Sequence, residues 1–176
     1  MKFIPVSLSG SYLIELEPIA DERGFFARSW CAREFEKHGL NSKVSQSNVS
    51  FNHQAGTLRG LHFQRQPNEE AKLVRCTRGR VFDAIVDIRP GSATCGQWFG
   101  TELSAKNHRM LYVPEGFAHG YLTLEDNSEV FYLVSEFYSP ESESGIRYDD
   151  PQIGICWPGP ITLVSTKDQN LGYFKR

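Results

Sequence analysis

Five side chains of this sequence have the chemistry that proton transfer beside a carbonyl group requires: His62, Lys72, His119, Arg59 and Tyr132. An imidazole accepts a proton near neutral pH, and a tyrosine hydroxyl can donate one. Lysine and arginine cations can stabilise the negative charge that develops on a carbonyl oxygen. Gathered in one pocket, the set would suit removal of a proton next to a ketone. Taken singly, a histidine or tyrosine on an apolar strand is also explained as a core residue with satisfied polar atoms.

Strand alternation indicates where two of these side chains point. Side chains two residues apart share a face, so Lys72 lies on the face of Val74, and Tyr132 lies on the face of Val130. Lysine is rarely buried without a partner or a function. The alternative is a lysine that reaches solvent from the end of its strand.

The segment Leu58–Gln64 carries Arg59 and His62, which a regular strand would direct to opposite faces. Gly60 lies between them and would permit a bend or a bulge. We therefore expect a distorted strand that brings both side chains to one site.

The loop Pro114–Gly120 presents His119 between glycines and matches part of the second motif of the cupin barrels. The first cupin motif supplies His-x-His and a later Glu as metal ligands, but here the second histidine is replaced in His62-Phe63-Gln64. A transition-metal site needs three or four N, O or S ligands. The sequence therefore predicts a cupin-type barrel with no metal, and it has none of the common cofactor-binding motifs.

Nine segments rich in Val, Ile, Phe, Tyr and Thr, separated by Gly, Pro and Asn, predict β-strands. They are Ser11–Glu17, Lys43–Phe51, Leu58–Gln64, Lys72–Thr77, Val81–Ile88, Gly96–Leu103, Met110–Val113, His119–Leu124 and Val130–Tyr138. Gly79 supplies a hairpin turn, and Ala32–Gly39 is a short helix ended by its glycine. The tail from Ser139 indicates irregular structure with a short helix. The pattern predicts an all-β jelly-roll barrel of two antiparallel sheets with a few short peripheral helices.

Composition limits the class of protein. The 176 residues carry 19 Lys and Arg against 21 Asp and Glu, a net charge of −2, which argues against a nucleic-acid or membrane-surface partner. No linker or repeat divides residues 1–176, so we expect one domain. No apolar run is long enough to span a bilayer and no signal peptide is evident, which favours a cytoplasmic protein. The 4 cysteines form no CxxC pair and are expected to be reduced.

Seven motifs carry a resemblance to a known family. They are Asp21-Glu22-Arg23-Gly24-Phe25-Phe26, Gln46-Ser47-Asn48, Leu58–Gln64, Lys72-Leu73-Val74-Arg75, Val86-Asp87-Ile88-Arg89, Pro114–Gly120 and Tyr148-Asp149-Asp150-Pro151. In order and spacing they resemble the dTDP-4-dehydrorhamnose 3,5-epimerases, from about Ile14 to Asp168. The resemblance implies a metal-free, cofactor-independent homodimer with a cupin-like jelly roll. It also implies a thymidine-diphosphate 4-keto-6-deoxyhexose as the small-molecule substrate, epimerised at carbons 3 and 5 in deoxysugar biosynthesis of the dTDP-L-rhamnose type.

The resemblance assigns catalytic roles to four residues. It makes His62 the general base and Asp168 the carboxylate that orients it. Tyr132 becomes the acid that delivers a proton to the opposite face of the sugar. Lys72 is placed near the ketone oxygen, where it would favour the enolate.

The resemblance also assigns substrate-binding residues. Arg23, Arg59 and His119 are expected to bind the diphosphate, since arginine makes forked hydrogen bonds to phosphate oxygens. The residues expected to contact nucleoside and sugar are Gln46, Asn48, Phe26 and Tyr138, and two further family binding positions are Glu143 and Lys167. Arg28 stands where the family commonly has a glutamate at a position associated with nucleotide contact, so this charge reversal bears on which nucleotide or sugar is accepted.

Three other functions stay open at this point. The first is a mono-epimerase or 3,4-ketoisomerase acting on a related nucleotide 4-keto sugar with the same histidine and tyrosine. The second is a non-catalytic sugar-binding jelly roll, although a pure binder needs no acid and base such as Tyr132 and His62. The third is a metal-dependent cupin oxygenase, against which Gln64 argues.

Overall fold

Strands dominate the secondary structure of residues 1–175, the part of the chain that this computed structural model describes. The fourteen strands are β1 (Lys2–Pro5), β2 (Tyr12–Glu15), β3 (Ile19–Asp21), β4 (Gly24–Phe26), β5 (Gln46–Asn52), β6 (Thr57–Gln64), β7 (Lys72–Arg78), β8 (Arg80–Asp87), β9 (Trp98–Ser104), β10 (Met110–Val113), β11 (Phe117–Thr123), β12 (Ser128–Val134), β13 (Glu143–Gly145) and β14 (Leu163–Val164). The two helices are α1 (Ala32–Lys37) and α2 (Thr166–Gln169).

All nine predicted strands are confirmed, with bounds that differ from the prediction by no more than four residues. The predicted helix is confirmed as α1, and Gly39 follows its cap with a φ of +70°. Gly79 turns the β7–β8 hairpin with a φ of +71°. The sequence pattern does not predict β1, β3, β4, β13 and β14, because strands of two to four residues are too short for alternation to show.

Most strands belong to two antiparallel sheets. The first has the order β1-β2-β10-β7-β12-β5, and the second has the order β13-β6-β11-β8-β9. β14 pairs with β6 in parallel, and β3 pairs with β4 in a separate two-stranded hairpin. This architecture confirms the predicted all-β, cupin-like jelly roll.

The main core lies between the two sheets. Val74 of β7 and Val130 of β12 come from the first sheet, and Ile85 of β8 and Leu103 of β9 come from the second. All four side chains are fully buried. Their packing holds the sheets together and leaves the cavities described below at one end of the core.

The outer face of the first sheet is only partly covered. Phe35 of α1 is buried there and packs edge-on against Tyr112, whose hydroxyl accepts a hydrogen bond from the Asn41 backbone N–H at 3.0 Å. Towards the edge strand β5, the same face leaves Val49 and Phe51 exposed. An apolar strip therefore remains on this face.

The C-terminal segment covers the outer face of the second sheet. Ile146 and Ile153 are buried in a cluster with Leu61 of β6. The buried Asp150 carboxylate accepts hydrogen bonds from backbone N–H groups, including that of Phe174 at 2.5 Å, which fastens the tail. The segment thereby brings α2 beside β6. None of the helices in residues 1–175 has the length and apolar character needed to cross a membrane.

β6 is distorted where Gly60 crosses Gly120 of β11. The pairing of these two strands changes register at this point. Gly60 has a φ of +127°, and a Cβ atom on it would lie 2.6 Å from the Gly120 Cα atom. Only glycine tolerates such a backbone approach. The distortion confirms the predicted bend, and Arg59 and His62 line one cavity as a result.

We expect Gly60→Ala to destabilise the fold more than Gly24→Ala. Gly24 has a similar φ of +128°, but apart from its two chain neighbours no other residue of 1–175 has an atom within 4 Å of the position that its Cβ would take. Its substitution therefore adds only backbone strain, about 1–3 kcal/mol. Gly60→Ala adds both that strain and the overlap with Gly120. Urea titration of each variant measures the free energy of unfolding, and equal losses would contradict the close approach.

Candidate active site

Two adjoining cavities are lined by strands of both sheets and share His62, Lys72 and Tyr132. Their volumes are about 530 Å³ and 390 Å³. The predicted site residues that line the first are Arg59, His62, Lys72, His119, Tyr132, Lys167 and Asp168. Those that line the second are Gln46, Asn48, His62, Lys72, Tyr132, Tyr138 and Glu143. The structure thus brings together eleven of the fourteen residues that the sequence singles out.

His62 on β6 is paired with Asp168 on α2. Its Nε2 atom lies 2.7 Å from the Asp168 Oδ1 atom. The second carboxylate oxygen accepts the Gly60 backbone N–H at 3.2 Å, and the Ser165 hydroxyl accepts the Asp168 N–H at 3.0 Å. A neutral imidazole that donates Nε2–H to a carboxylate keeps its lone pair on Nδ1. The arrangement therefore suits a base whose tautomer is held in place.

The Asp168 carboxyl has a lowered pKa. Burial would raise this pKa, but the hydrogen bond and charge of His62 and the hydrogen bond from the Gly60 N–H more than offset burial. Asp168 is therefore ionised at neutral pH. An ionised carboxylate stabilises the imidazolium that forms when His62 accepts a proton.

Tyr132 on β12 lies in the first sheet, whereas His62 lies in the second. Its pKa is raised above the ordinary value, chiefly by burial and further by the charges of Tyr121 and Glu70. A tyrosine with a raised pKa stays protonated at neutral pH and can donate a proton. A side chain able to accept a proton and one able to donate a proton therefore reach the shared space from opposite sheets.

Lys72 has a carboxylate partner that sequence reasoning missed. Its Nζ atom lies 3.1 Å from the Glu70 Oε1 atom, and the two side chains are only 9% and 12% exposed. Glu70 also lines the second cavity. The available signal was the spacing, because residues two apart in an extended segment share a face.

His119 also has a partner that the sequence reasoning did not name. Its Nε2 atom lies 3.0 Å from both carboxylate oxygens of Asp83, which is fully buried on β8. The available signal was a lone carboxylate inside the apolar run of β8, since buried charges need partners. The pair fixes the orientation of the His119 ring.

A third group lies at the edge of the second cavity. Lys167 contacts the Glu143 carboxylate at 2.5 Å, and the Tyr138 hydroxyl donates to the same carboxylate at 2.9 Å. The hydrogen bond from Lys167 is the main reason that the pKa of Glu143 is lowered. Gln46 accepts the Tyr138 backbone N–H at 2.7 Å. These contacts join β5, β13 and α2 around the opening.

The structure does not bring Arg23, Phe26 and Arg28 to either cavity of their own chain. Arg23 lies in the β3–β4 turn and pairs with Asp21, and Phe26 is 68% exposed on the same hairpin. Arg28 follows the hairpin, and its Nη1 atom lies 3.9 Å from the Glu34 Oε1 atom. The physical reason is that the hairpin pairs with neither main sheet. The binding roles of these three residues stay predictions.

Gln64, at the place of the second cupin histidine, serves the backbone. Its Nε2 atom donates to the carbonyls of Asn68 and Phe137, and its Oε1 atom accepts the Ser139 N–H at 2.6 Å. Within residues 1–175, no group of three or more His, Cys, Asp and Glu is arranged to hold a metal ion.

We expect Asp168→Asn to lower the free energy of unfolding at pH 7, and to lower it less at pH 3. The folded-state pKa of Asp168 is depressed below its usual 3.8. The carboxylate therefore stabilises the fold above that value, and this contribution is lost as the pH falls through the folded-state pKa. Urea titrations of both proteins at the two pH values measure the difference. A difference that stays constant would contradict a stabilising His62–Asp168 pair.

The chain matches known proteins along almost its whole length. The sequence model of the family described as dTDP-4-dehydrorhamnose 3,5-epimerase matches residues 5–176. The dTDP-4-dehydrorhamnose 3,5-epimerase of Methanothermobacter thermautotrophicus is 46% identical over 172 residues, which cover 96% of this chain and 92% of that protein.

Solved structures show the same similarity. The dTDP-4-dehydrorhamnose 3,5-epimerase from Elizabethkingia anophelis has a TM-score of 0.96 and 41% identity, covering 99% of this chain and 96% of the other. The dTDP-6-deoxy-D-glucose-3,5-epimerase from Legionella pneumophila, in complex with dTDP-4-keto-L-rhamnose, has a TM-score of 0.92 and 41% identity, covering 98% and 92%. Sequence motifs, fold and full-length similarity agree, and the chain belongs to the dTDP-4-dehydrorhamnose 3,5-epimerase family of isomerases.

Proposed function

We propose that this chain converts dTDP-4-dehydro-6-deoxy-D-glucose to dTDP-4-dehydro-L-rhamnose by epimerisation at carbons 3 and 5, with no metal or other cofactor. The observation that carries the proposal is that His62 and Tyr132 belong to opposite sheets yet line the same two cavities. Inversion requires removal of a proton from one face of the ring and delivery of a proton to the other. A base and an acid on opposite sides of the substrate meet that requirement.

The ketone explains why both carbons react. Carbons 3 and 5 flank the carbonyl group, so the charge left by each proton spreads onto the carbonyl oxygen. His62, oriented by Asp168, removes the proton, and the Lys72 ammonium stabilises the enolate oxygen. This stabilisation grows as charge develops, so it lowers the barrier and not merely the energy of the bound substrate. Tyr132 then protonates the opposite face.

The remaining cavity residues would bind the rest of the substrate. Arg59 and His119 line the first cavity and would hold the diphosphate. The residues that would contact nucleoside and sugar from the second cavity are Gln46, Asn48, Tyr138 and Glu143, with Lys167 bound to the last of these.

Deuterium uptake from D₂O tests the reaction. Wild-type protein with dTDP-4-dehydro-6-deoxy-D-glucose should incorporate deuterium at both carbons, read by mass spectrometry and NMR. His62→Ala should slow uptake about 10²–10⁴-fold, the usual contribution of a positioned base. Tyr132→Phe should retain uptake, because the base remains, but lose inversion. His53→Ala removes an exposed histidine that lines neither cavity and is the matched control.

Other results would identify other functions. Uptake at one carbon alone would indicate a mono-epimerase, and movement of the ketone to carbon 3 would indicate a ketoisomerase. If no uptake depends on His62, the thymidine sugar is the wrong substrate. The charge reversal at Arg28 would then direct the same experiment to other nucleotides.

We also propose that the protein works in the cytoplasm as a homodimer, in which the β3–β4 hairpin of one copy completes the site of the other. Arg23 and Phe26 line neither cavity of their own chain, and Phe25 and Phe26 are 50% and 68% exposed. Val49 and Phe51 add exposed apolar surface on the first sheet. Exposed apolar surface is typical of subunit contacts.

Mixed dimers test this arrangement. A variant with both Arg23→Ala and Phe26→Ala, and a separate His62→Ala variant, should each be nearly inactive as homodimers. After mixing and refolding together, about half of the dimers should be hybrids, and each hybrid has one intact site out of two. About a quarter of all sites are then intact, so the mixture should recover about a quarter of wild-type activity. Light scattering checks that each sample has the mass of two chains. A mixture no more active than its components would contradict sharing of the site.

A further inference from the structure

Arg59 differs from the other basic side chains of the site in its partners. Four side chains that line the cavities contact a carboxylate, in these pairs: His62 with Asp168, Lys72 with Glu70, His119 with Asp83, and Lys167 with Glu143. Arg59 lines the first cavity but forms no ion pair with any residue of 1–175. Its charge is therefore not compensated by a carboxylate in the described part of the chain.

The partners of Arg59 are neutral oxygens on β5. Its Nε–H donates to the Asn52 Oδ1 atom at 2.8 Å, and its Nη2 donates to the Phe51 carbonyl at 3.4 Å. A guanidinium carries five N–H donors in a planar fork. The donors that these two oxygens do not use remain for a ligand in the first cavity.

The Asn52 side chain is itself held in one orientation. Asn52 is 2% exposed, and its Nδ2 atom lies 3.2 Å from the Ser128 carbonyl and 3.3 Å from both the Ser50 carbonyl and the Tyr121 hydroxyl. Carbonyl oxygens can only accept hydrogen bonds, so the NH₂ group must face them. The Asn52 oxygen therefore faces Arg59. Asn52 lines neither cavity and acts on a ligand only through the arginine.

We propose that Asn52 is a positioning residue for the diphosphate: it holds the Arg59 fork through a neutral acceptor and so leaves the full positive charge for the ligand. The inference rests on the proposed nucleoside-diphosphate substrate. An aspartate at position 52 could also accept the Nε–H, but its charge would compensate the guanidinium and repel phosphate oxygens. The asparagine thus separates orientation from charge compensation, which carboxylates provide at Lys72 and Lys167.

Binding calorimetry with TDP, inorganic pyrophosphate and thymidine tests the proposal. Asn52→Asp should lower the affinity for TDP and for pyrophosphate about tenfold or more, which is the scale of a charged hydrogen bond. It should leave the affinity for thymidine unchanged. Asn52→Ala should lower the affinity for both anions by a smaller factor, because it removes the orienting acceptor without adding charge. With substrate, both variants should raise KM more than they lower kcat. Asn107→Asp, at a half-buried asparagine that lines neither cavity, is the matched control.

The Arg59→Ala background separates positioning from support of the fold. In that background Asn52→Asp should have no further effect on pyrophosphate affinity, because the group that it modulates is absent. A loss that persists there, or an equal loss for thymidine, would overturn the proposal, as would unchanged pyrophosphate affinity in the wild-type background. The Asn52→Ala arm decides the matter if Asn52→Asp does not fold.

The proposed function and this inference fail in different ways. In one outcome the wild-type protein binds pyrophosphate but not TDP, and Asn52→Asp lowers the pyrophosphate affinity. This outcome would contradict the thymidine substrate and support the role of Asn52. Wild-type protein that binds TDP with an affinity insensitive to both variants would support the substrate and overturn the inference. Wild-type protein that binds neither anion would overturn both.

Discussion

Strands β6 and β11 cross at Gly60 and Gly120 so closely that a Cβ atom on either residue would overlap the backbone of the other strand. This crossing changes the register of the pair and directs the Arg59 and His62 side chains into one cavity. The Gly60 N–H also donates to the Asp168 carboxylate, so the same distortion helps to fasten α2 beside the base. One backbone constraint therefore sets the positions of His62, of the Asp168 carboxylate paired with it and of Arg59.

Burial of charge is the second organising feature of the site. An isolated charge is costly to remove from water, whereas a hydrogen-bonded pair is tolerated. Two pairs with a buried carboxylate also join separate elements: His62–Asp168 links β6 to α2, and His119–Asp83 links β11 to β8. The more exposed Glu143–Lys167 pair links β13 to α2. Each pair thus holds a cavity-lining side chain at the junction of two elements. Arg59, with neutral partners, is the point at which an anionic ligand would find uncompensated charge.

The β3–β4 hairpin carries two residues that the sequence predicts to bind substrate, and it lies outside the two main sheets. Arg23 and Phe26 project on a two-stranded unit whose residues are exposed, and no main-sheet strand pairs with it. An exposed apolar ring such as that of Phe26 gains stability only when another surface covers it. The proposed sharing of the hairpin between subunits would cover this ring and supply the binding residues that a single chain holds away from its own cavities.

Sequence patterns are enough to predict the longer elements, the fold class and most of the residues that line the cavities. Alternation and glycine turns are local properties, and they predict nine strands and α1 correctly, while the motifs identify the residues that meet in the cavities. Short strands such as β3 escape prediction because three residues carry too little pattern. Spacing and residue type gave a signal for Glu70 and Asp83, but their partners, like those of Asn52, become evident only from tertiary contacts. The position of Arg23, Phe26 and Arg28 away from the cavities is visible only in the folded chain, because the order in which distant strands pair into sheets is not encoded in local periodicity.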